Sequence, residues 1–287
     1  MFCRRPVFSL LCLITLFSSA VVLGESCSTD SSQPFFAFDN GVGRDQKWPI
    51  EKQAKTLKAL GYHGIGYSGI QDLDKRLAAF KAHDLTLFSL YVPCYPANAE
   101  TPYDPQFSEV FKQLAGSKTM LLLTVQGKST DKQAARTVQD IADLAAVHEV
   151  KICLYPHYGN FVATARDALR VMKLVDRSNV GLTINLCHEL RSGYGNALDQ
   201  IIKEAGPKIF MASINGAQKE GKDWGELIMP LGLGGFDMTH FLGQLKKVGF
   251  TGPIGLQCYN VKGNQRDNLA HAMGAWHAYQ NSKESQQ

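Results

Sequence analysis

The chain has 287 residues, of which 45% are hydrophobic and 20% charged, and its formal net charge is +4. This is the composition of a globular protein, and the length suits one large domain or two small ones. The small charge, without a basic stripe or interleaved aromatic and basic residues, argues against a nucleic-acid partner.

The first two dozen residues, MFCRRPVFSLLCLITLFSSAVVLG, have the order of a secretory signal peptide. Two arginines precede an apolar stretch from Val7 to Leu23, which ends in small residues before the polar segment ESCSTDSSQ. We predict a signal peptide over residues 1–24, cleaved after Gly24 or near Ala20, and hence a secreted or periplasmic protein. The alternative is an uncleaved membrane anchor, because the apolar stretch is nearly long enough to span a thinned bilayer.

Eight short apolar runs recur along the chain from residue 35 onward. Each is apolar almost throughout, as expected for strands of a parallel sheet that is covered on both faces. We predict strands over residues 35–39, 63–69, 86–95, 119–127, 150–159, 180–189, 209–217 and 253–260.

Amphipathic stretches separate these runs, with apolar residues at helical spacing. Gly61 is expected to end the first helix, and Asn160 and Asp237 are expected N-caps of later ones. Predicted helices cover residues 50–61, 73–84, 131–149, 160–177 and 238–249.

Eight strand-then-helix units in one chain predict a single (β/α)8 TIM barrel over residues 35–282, after a short linker at 25–34 and before a polar tail at 283–287. The competing prediction is an open, doubly wound sheet. It is weaker because the segment DNGVGRD after the first strand contains a lone GxG and lacks the third glycine of a dinucleotide-binding fingerprint.

Five cysteines remain once the signal peptide is removed, an odd number at wide spacing. They form neither a disulfide framework nor a CxxC pair that would indicate structural zinc. Four of them lie in or beside apolar runs and are expected to be small buried side chains, with one incidental disulfide allowed in an oxidising compartment.

In a TIM barrel the active site lies at the C-terminal ends of the strands. The side chains predicted to lie there are amides, phenols and two histidines, which are polar but almost uncharged and suit a hydroxyl-rich ligand. They are Asp39, Asn40, Tyr67, Tyr91, Cys94, Tyr95, Gln126, Tyr155, His157, Tyr158, Asn185, His188, Ser213, Asn215, Gln257 and Tyr259.

Several stretches of the sequence resemble the sugar phosphate isomerase/epimerase-like, xylose isomerase-like TIM barrel family. They are LKALGYHGIGYSG, KICLYPHYGN, VGLTINLCHE, FMASINGA and the closing PLGLGGFDMTHFLGQLKKVGFTGPIGLQCY. The resemblance covers roughly residues 35 to 280 and implies a barrel whose strand ends hold one divalent metal through a Glu, an Asp, a His and a Glu.

The positions that match those metal ligands carry neutral side chains: Tyr155, Asn185, Ser213 and Gln257. Without carboxylates little offsets the dehydration cost of a hard cation. We therefore expect no standard metal site, unless the two histidines recruit a metal together with Asp39 or Glu189.

The sequence predicts an enzyme that moves a proton next to the carbonyl of a sugar or sugar derivative. His157 and His188 are the candidate acid–base residues, because an unperturbed imidazole titrates near neutral pH. Asn185, Gln257 and Asn215 are predicted to orient hydroxyl groups and to stabilise enolate charge. Tyr91, Tyr155 and Tyr259 are predicted to stack on a sugar ring.

Isomerisation, epimerisation, and elimination or hydration of a keto-glycoside all fit this chemistry. A non-catalytic saccharide-binding barrel fits the same residues. An endonuclease-like relative would need a zinc-ligand cluster and a basic face, and the sequence shows neither. The expected partner is a small carbohydrate; the sequence does not indicate an oligomeric state.

Overall fold

Eight parallel strands close into a barrel in chain order, with the first strand paired to the last. The computed structural model describes residues 1–2 and 33–284, so the predicted signal peptide and most of the predicted linker lie outside the described residues. The strands are β1 (Phe35–Phe38), β2 (Gly64–Ser68), β3 (Thr86–Cys94), β4 (Met120–Val125), β5 (Ile152–Leu154), β6 (Val180–Asn185), β7 (Ile209–Ile214) and β8 (Ile254–Leu256). This confirms the predicted (β/α)8 barrel.

Helices follow the strands and cover the outside of the barrel. They are α1 (Ile50–Ala59), α2 (Leu73–Ala82), α3 (Phe107–Leu114), α4 (Asp131–Ala146), α5 (Ala165–Val175), α6 (Leu186–Arg191), α7 (Leu198–Ala205), α8 (Trp224–Leu227), α9 (Met238–Lys247) and α10 (Gln265–Glu284). Their buried apolar faces pack on strands that are themselves buried on both sides, so helices and sheet share one core.

The predicted helix ends are mostly confirmed. Gly61 has φ +83° just after α1, and the Asp237 side chain accepts a hydrogen bond from the His240 backbone N–H at the start of α9. The prediction for Asn160 is wrong. Helix α5 begins later, where Thr164 and Asp167 form a reciprocal capping box.

All eight strands end before their predicted C-terminal residues, and the difference is largest, at four or five residues, in three of them. Strand β5 stops at Leu154, because Pro156 has no N–H for the ladder. Strand β6 stops at Asn185, and the apolar residues after it form the six-residue helix α6 instead of more strand. Strand β8 stops at Leu256.

The barrel interior is filled by a second cluster of large side chains, mainly Phe36, Phe38, Phe88 and Tyr155. Glycines in the strands make this filling sterically feasible. A Cβ atom on Gly255 would lie 2.6 Å from Phe36 Cζ and 2.7 Å from Phe38 Cε2. Because the interior is closed by these rings, a ligand has access only to its ends.

Cys94, Cys153, Cys187 and Cys258 are free and buried, as predicted for small core side chains, whereas Cys27 lies outside the described residues. Within the described ranges, no helix combines the length and apolarity needed to cross a membrane.

Candidate active site

A cavity of about 380 Å³ opens at the C-terminal ends of the strands. Its walls come from segments at or after β1, β2, β3, β5, β6, β7 and β8, and they are largely aromatic or amide in character. The lining residues are Phe38, Asn40, Arg44, Ser68, Tyr91, Tyr155, His157, His188, Trp224, Ile228, Gln257 and Tyr259.

Two histidines lie side by side in this wall. The ring centroids of His157 and His188 are 4.1 Å apart and the rings are inclined by 37°. His157 follows β5, and His188 lies in the first turn of α6, where it also packs edge-on against Trp224 with 5.1 Å between centroids. The short helix α6 therefore delivers the second imidazole to the cavity.

The backbone of Tyr158 fixes a different tautomer on each ring. Its carbonyl oxygen can only accept, so His157 Nδ1 is the donor at 3.1 Å. Its N–H can only donate, so His188 Nδ1 is the acceptor at 3.0 Å. In the neutral state His157 thus keeps the lone pair on Nε2, whereas His188 carries its proton on Nε2.

Both imidazoles are held neutral at ordinary pH. Burial lowers the pKa of His157 below its usual value. Burial, with a smaller contribution from neighbouring His157, lowers the pKa of His188 to about 3. The pair therefore offers one proton acceptor and one N–H donor, not two cations.

The four neutral residues at the family's metal-ligand positions bond to one another. Ser213 Oγ donates to Asn185 Oδ1 at 2.8 Å, and Asn185 Nδ2 donates to the Pro156 carbonyl at 2.8 Å. Gln257 Nε2 lies 3.5 Å from the hydroxyl of Tyr155, which also interacts with Ser213. The ring is largely satisfied internally, as buried polar groups require.

This donor set does not fit a divalent cation. It holds no anion, and the amide oxygens of Asn185 and Gln257 already accept hydrogen bonds, the second from Asn40 and the Tyr259 N–H. No three His, Cys, Asp or Glu residues of the described part of the chain lie together in a way that could hold a metal. Asp39 is bonded to Ser68 and Glu189 to Ala165, so neither carboxylate joins the histidines.

Most of the predicted site residues meet at the cavity. His157, His188, Tyr91, Tyr155, Gln257 and Tyr259 all line it. Asn185 and Asn215 are fully buried and do not. Asn215 Nδ2 donates to the carbonyls of Gly216 and Leu227, at 2.8 and 2.6 Å, and so holds the loop after β7.

Arg44, Ser68 and Trp224 also line the cavity, and none of them is among the site residues predicted from the sequence. Arg44 belongs to the DNGVGRD segment after β1. Its position just after a strand is the sequence feature from which a place at the cavity could have been predicted. Trp224 lies in the long connection after β7, where no sequence pattern indicates that the chain folds back over the barrel mouth.

A polar cluster links the ends of β1 and β2. Asp39 is 1% exposed and accepts hydrogen bonds from the Ser68 N–H at 3.0 Å and from Ser68 Oγ at 2.8 Å. Burial raises the pKa of Asp39 in spite of these bonds. Arg44 Nη1 donates to Ser68 Oγ at 3.2 Å and lies 3.6 Å from Asp39 Oδ1.

Glu189 anchors α6 beside the histidine pair. Its side chain is completely buried, and Oε1 accepts a hydrogen bond of 2.6 Å from the Ala165 N–H, at the first residue of α5. Oε2 has no hydrogen-bond partner among the described residues. Burial raises the pKa of Glu189 to about 7, because the carboxylate is expensive to desolvate.

We expect Glu189→Gln to stabilise the protein at pH 8 but not at pH 4. The pKa of Glu189 is about 7 in the folded protein, against an ordinary value of 4.5. Its contribution to the free energy of unfolding is therefore complete below pH 4.5 and is lost as the pH rises to 7. Glutamine does not titrate, so the variant should gain about 3 kcal/mol relative to the wild type across this range. Urea unfolding at both pH values measures it.

The matched control is Glu204→Gln on α7, where Arg166 holds the pKa of an exposed carboxyl below its ordinary value. This variant should show no gain at high pH. An unchanged difference between Glu189→Gln and wild type at pH 4 and pH 8 would contradict the buried, proton-binding Glu189.

Solved structures with the same fold extend over most of this chain. One is the IolI protein with a bound zinc atom (17% identity, TM-score 0.71, covering 86% of this chain and 97% of that one). Another is the Escherichia coli 3-keto-D-glucoside 4-epimerase YcjR (14% identity, TM-score 0.67, covering 85% of this chain and 98% of that one). A third is the D-psicose 3-epimerase of Clostridium cellulolyticum H10 (14% identity, TM-score 0.67, covering 86% of this chain and 98% of that one). At these identities the likeness establishes the fold.

No curated protein sequence shows a significant match. The model of one protein family, described as xylose isomerase-like TIM barrel, matches residues 110–279, which is more than half of the chain. The matched segment runs from α3 to α10 and includes both cavity histidines and all four of the neutral residues discussed above. The chain therefore belongs to the xylose isomerase-like TIM barrel family.

Proposed function

We propose that this protein is a sugar-active enzyme that transfers a proton next to a carbonyl group through the His157–His188 pair, without the family's metal. The proposal rests on two adjacent neutral imidazoles in one cavity, which the backbone holds in different tautomers. An acceptor beside a donor is what enolisation of a carbonyl compound needs.

In the proposed step His157 Nε2 takes the proton from the carbon next to the carbonyl. The C–H electron pair forms the new C=C bond, and the carbonyl π electrons move onto oxygen. His188 Nε2–H donates a hydrogen bond to that oxygen, where negative charge develops. A neutral imidazole is suited to this donor role, because its pKa is far below ambient pH and its Nδ1 is tied to the backbone.

The geometry favours isomerisation over inversion at a single carbon. Both imidazoles lie in the same wall, with 4.1 Å between ring centroids, so a proton removed by His157 returns to the same face of the substrate. Return of the proton to the former carbonyl carbon, with transfer of the proton of the neighbouring hydroxyl group to the enolate oxygen, completes a ketose–aldose isomerisation. Loss of a leaving group from the same enolate would give the keto-glycoside lyase reaction, for which a single base also suffices.

The rest of the cavity suits a sugar. Tyr91, Trp224 and Tyr259 offer aromatic faces and edges, while Asn40 and Gln257 offer amide groups for hydroxyl recognition. The printed names of the structural neighbours include a 3-keto-D-glucoside epimerase and a D-psicose epimerase, which supports the substrate class.

The competing proposal is a saccharide-binding barrel without catalysis, and the hydrogen-bonded ring at the metal-ligand positions favours it. Deuterium incorporation into keto-sugars and uronates in D₂O, followed by NMR, separates the two. We expect exchange at the carbon next to the carbonyl. Ligands that bind by calorimetry but show no exchange would overturn the enzyme proposal.

Removing metals should leave both ligand binding and exchange unchanged. The donors at the family's metal positions are neutral and occupied by one another, so a chelator has no tightly held ion to extract. The measurement is dialysis against EDTA, followed by elemental analysis and the exchange assay. Stoichiometric manganese, cobalt or zinc, together with loss of exchange on its removal, would contradict the metal-free step.

A further inference from the structure

Arg44 is the only permanently charged residue among the twelve that line the cavity. The two histidines are neutral, and all other lining side chains are aromatic, amide, hydroxyl or aliphatic. No carboxylate lines the cavity within the described residues. An otherwise uncharged cavity with one guanidinium attracts ligands of negative charge.

The guanidinium of Arg44 retains free donors. Nε lies 3.3 Å from Asp45 Oδ1, and Nη1 donates to Ser68 Oγ. Nη2 has no hydrogen bond to any residue that the structure describes. Its side chain is 36% exposed, so these N–H groups remain accessible from the cavity.

Two carboxylates form ion pairs with Arg44, but neither lines the cavity. Asp39 lies below the lining with both oxygens turned to Ser68, and it faces a second guanidinium, that of Arg76, which stacks on Tyr67 at 3.5 Å. Asp45 is 71% exposed, where an ion pair contributes little and is screened by salt. Among the described residues, Arg44 is therefore the charged group that this side of the cavity presents to a ligand.

We propose that the substrate is a sugar carrying a carboxylate, a uronic or keto-uronic acid, whose carboxylate is bound by Arg44. The sugar class rests on the proposed function; the charge preference rests on the cavity lining. A carboxylate suits the two-pronged edge of one guanidinium, whereas a phosphate dianion would call for further cationic donors that the described lining lacks.

The barrel also dictates which end of the sugar reacts. Arg44 follows β1 and the histidines follow β5 and β6, on the opposite side of the eight-strand ring. A ligand held by its carboxylate at Arg44 would place its far end at His157 and His188. The preferred substrate therefore has the carboxylate and the reacting carbonyl at opposite ends of its carbon chain.

Calorimetric titrations test the charge preference directly. D-glucuronate and D-galacturonate are compared with glucuronamide and galactose, which lack the charge. We expect at least one acid to bind the wild-type protein roughly tenfold more tightly than its neutral counterpart, as one charge-assisted interaction provides. This difference in affinity should become smaller as the salt concentration rises. Equal binding of acid and neutral sugar, or no binding of either acid at millimolar concentration, would overturn the proposal, as would tighter binding of inorganic phosphate.

Arg44→Gln should abolish the preference, so that each acid binds no more tightly than its neutral counterpart. Arg136→Gln, a substitution of a 76% exposed arginine on α4, removes the same charge at a distance and should keep the preference. An acid preference that survives in Arg44→Gln would overturn the assignment.

The test of acid binding can be separated from the test of proton transfer by the histidine pair. His157→Gln should still prefer the acid, because it leaves Arg44 in place. In the wild-type protein, a preference for the acid without any deuterium exchange would contradict the enzymatic step alone. Deuterium exchange into neutral keto-sugars by the wild-type protein, without any preference for acids, would contradict the carboxylate assignment alone.

Discussion

Replacing His157 by glutamine should lower the rate of deuterium exchange next to the substrate carbonyl by about 10²–10⁴-fold, the usual contribution of a positioned general base. Glutamine can still donate to the Tyr158 carbonyl as His157 Nδ1 does, but it has no basic nitrogen to take the place of Nε2. Affinity for the ligand should change far less than the rate. His148→Gln, in the turn that follows α4 and outside the cavity lining, is the matched control and should exchange at the wild-type rate.

The pH dependence of the exchange rate distinguishes a catalytic base from a histidine with only a structural role. Burial lowers the pKa of His157, so its basic form prevails at neutral pH. The wild-type rate should be level above neutrality and fall as pH drops through a pKa below the ordinary value of about 6.5. His188→Gln should reduce the rate but keep this acid limb, because the base is intact. An acid limb that persists in His157→Gln would assign the base to another residue.

The order of the strands was predictable because each strand is buried on both faces and therefore apolar almost throughout. Their ends were harder to predict. Leu186, Cys187 and Leu190 continue the apolar run after Asn185, yet they form a helix in which five of the six residues are buried. A six-residue helix depends on tertiary packing more than on its own propensity, so local pattern cannot separate it from strand.

The cavity could be predicted only where side chains lie close to a strand end. His157 and Gln257 lie a few residues beyond β5 and β8, so parallel strands bring them to one face of the barrel. Trp224 lies ten residues beyond the end of β7, and its place in the lining depends on the path of that connection. Asn215 is close to a strand end too, but its amide turns into the loop, which spacing alone does not reveal.

Asn185 supports the site without lining it. Its Nδ2 holds the Pro156 carbonyl between Tyr155 and His157, and its Oδ1 accepts from Ser213 Oγ and lies 3.5 Å from Cys187 Sγ. One buried amide thus ties the segment after β5 to the ends of β6 and β7. An aspartate would keep the acceptor and lose the donor, so the amide is required by the neutral ring and not merely tolerated there.

Asn185→Asp should therefore destabilise the fold by about 3–5 kcal/mol at pH 8, the scale of an unpaired buried charge. The introduced carboxylate would face the Pro156 carbonyl, now 2.8 Å from an amide nitrogen, and burial would raise its pKa. Stability should be kept below the ordinary pKa of aspartate and lost as pH rises, so the loss measured by urea unfolding should be smaller at pH 4.

Asn264→Asp is the matched control. Asn264 lies just before α10, and its Oδ1 accepts from the Arg266 and Asp267 N–H groups in the first turn of that helix, where aspartate caps as well as asparagine. That variant should unfold like the wild type. Added manganese or magnesium should not rescue Asn185→Asp, since one carboxylate among Tyr155, Ser213 and Gln257 still leaves three neutral ligands. Stoichiometric metal binding with full recovery of stability would show that this ring is a metal site lacking a single charge, and would refute the metal-free assignment of the cavity.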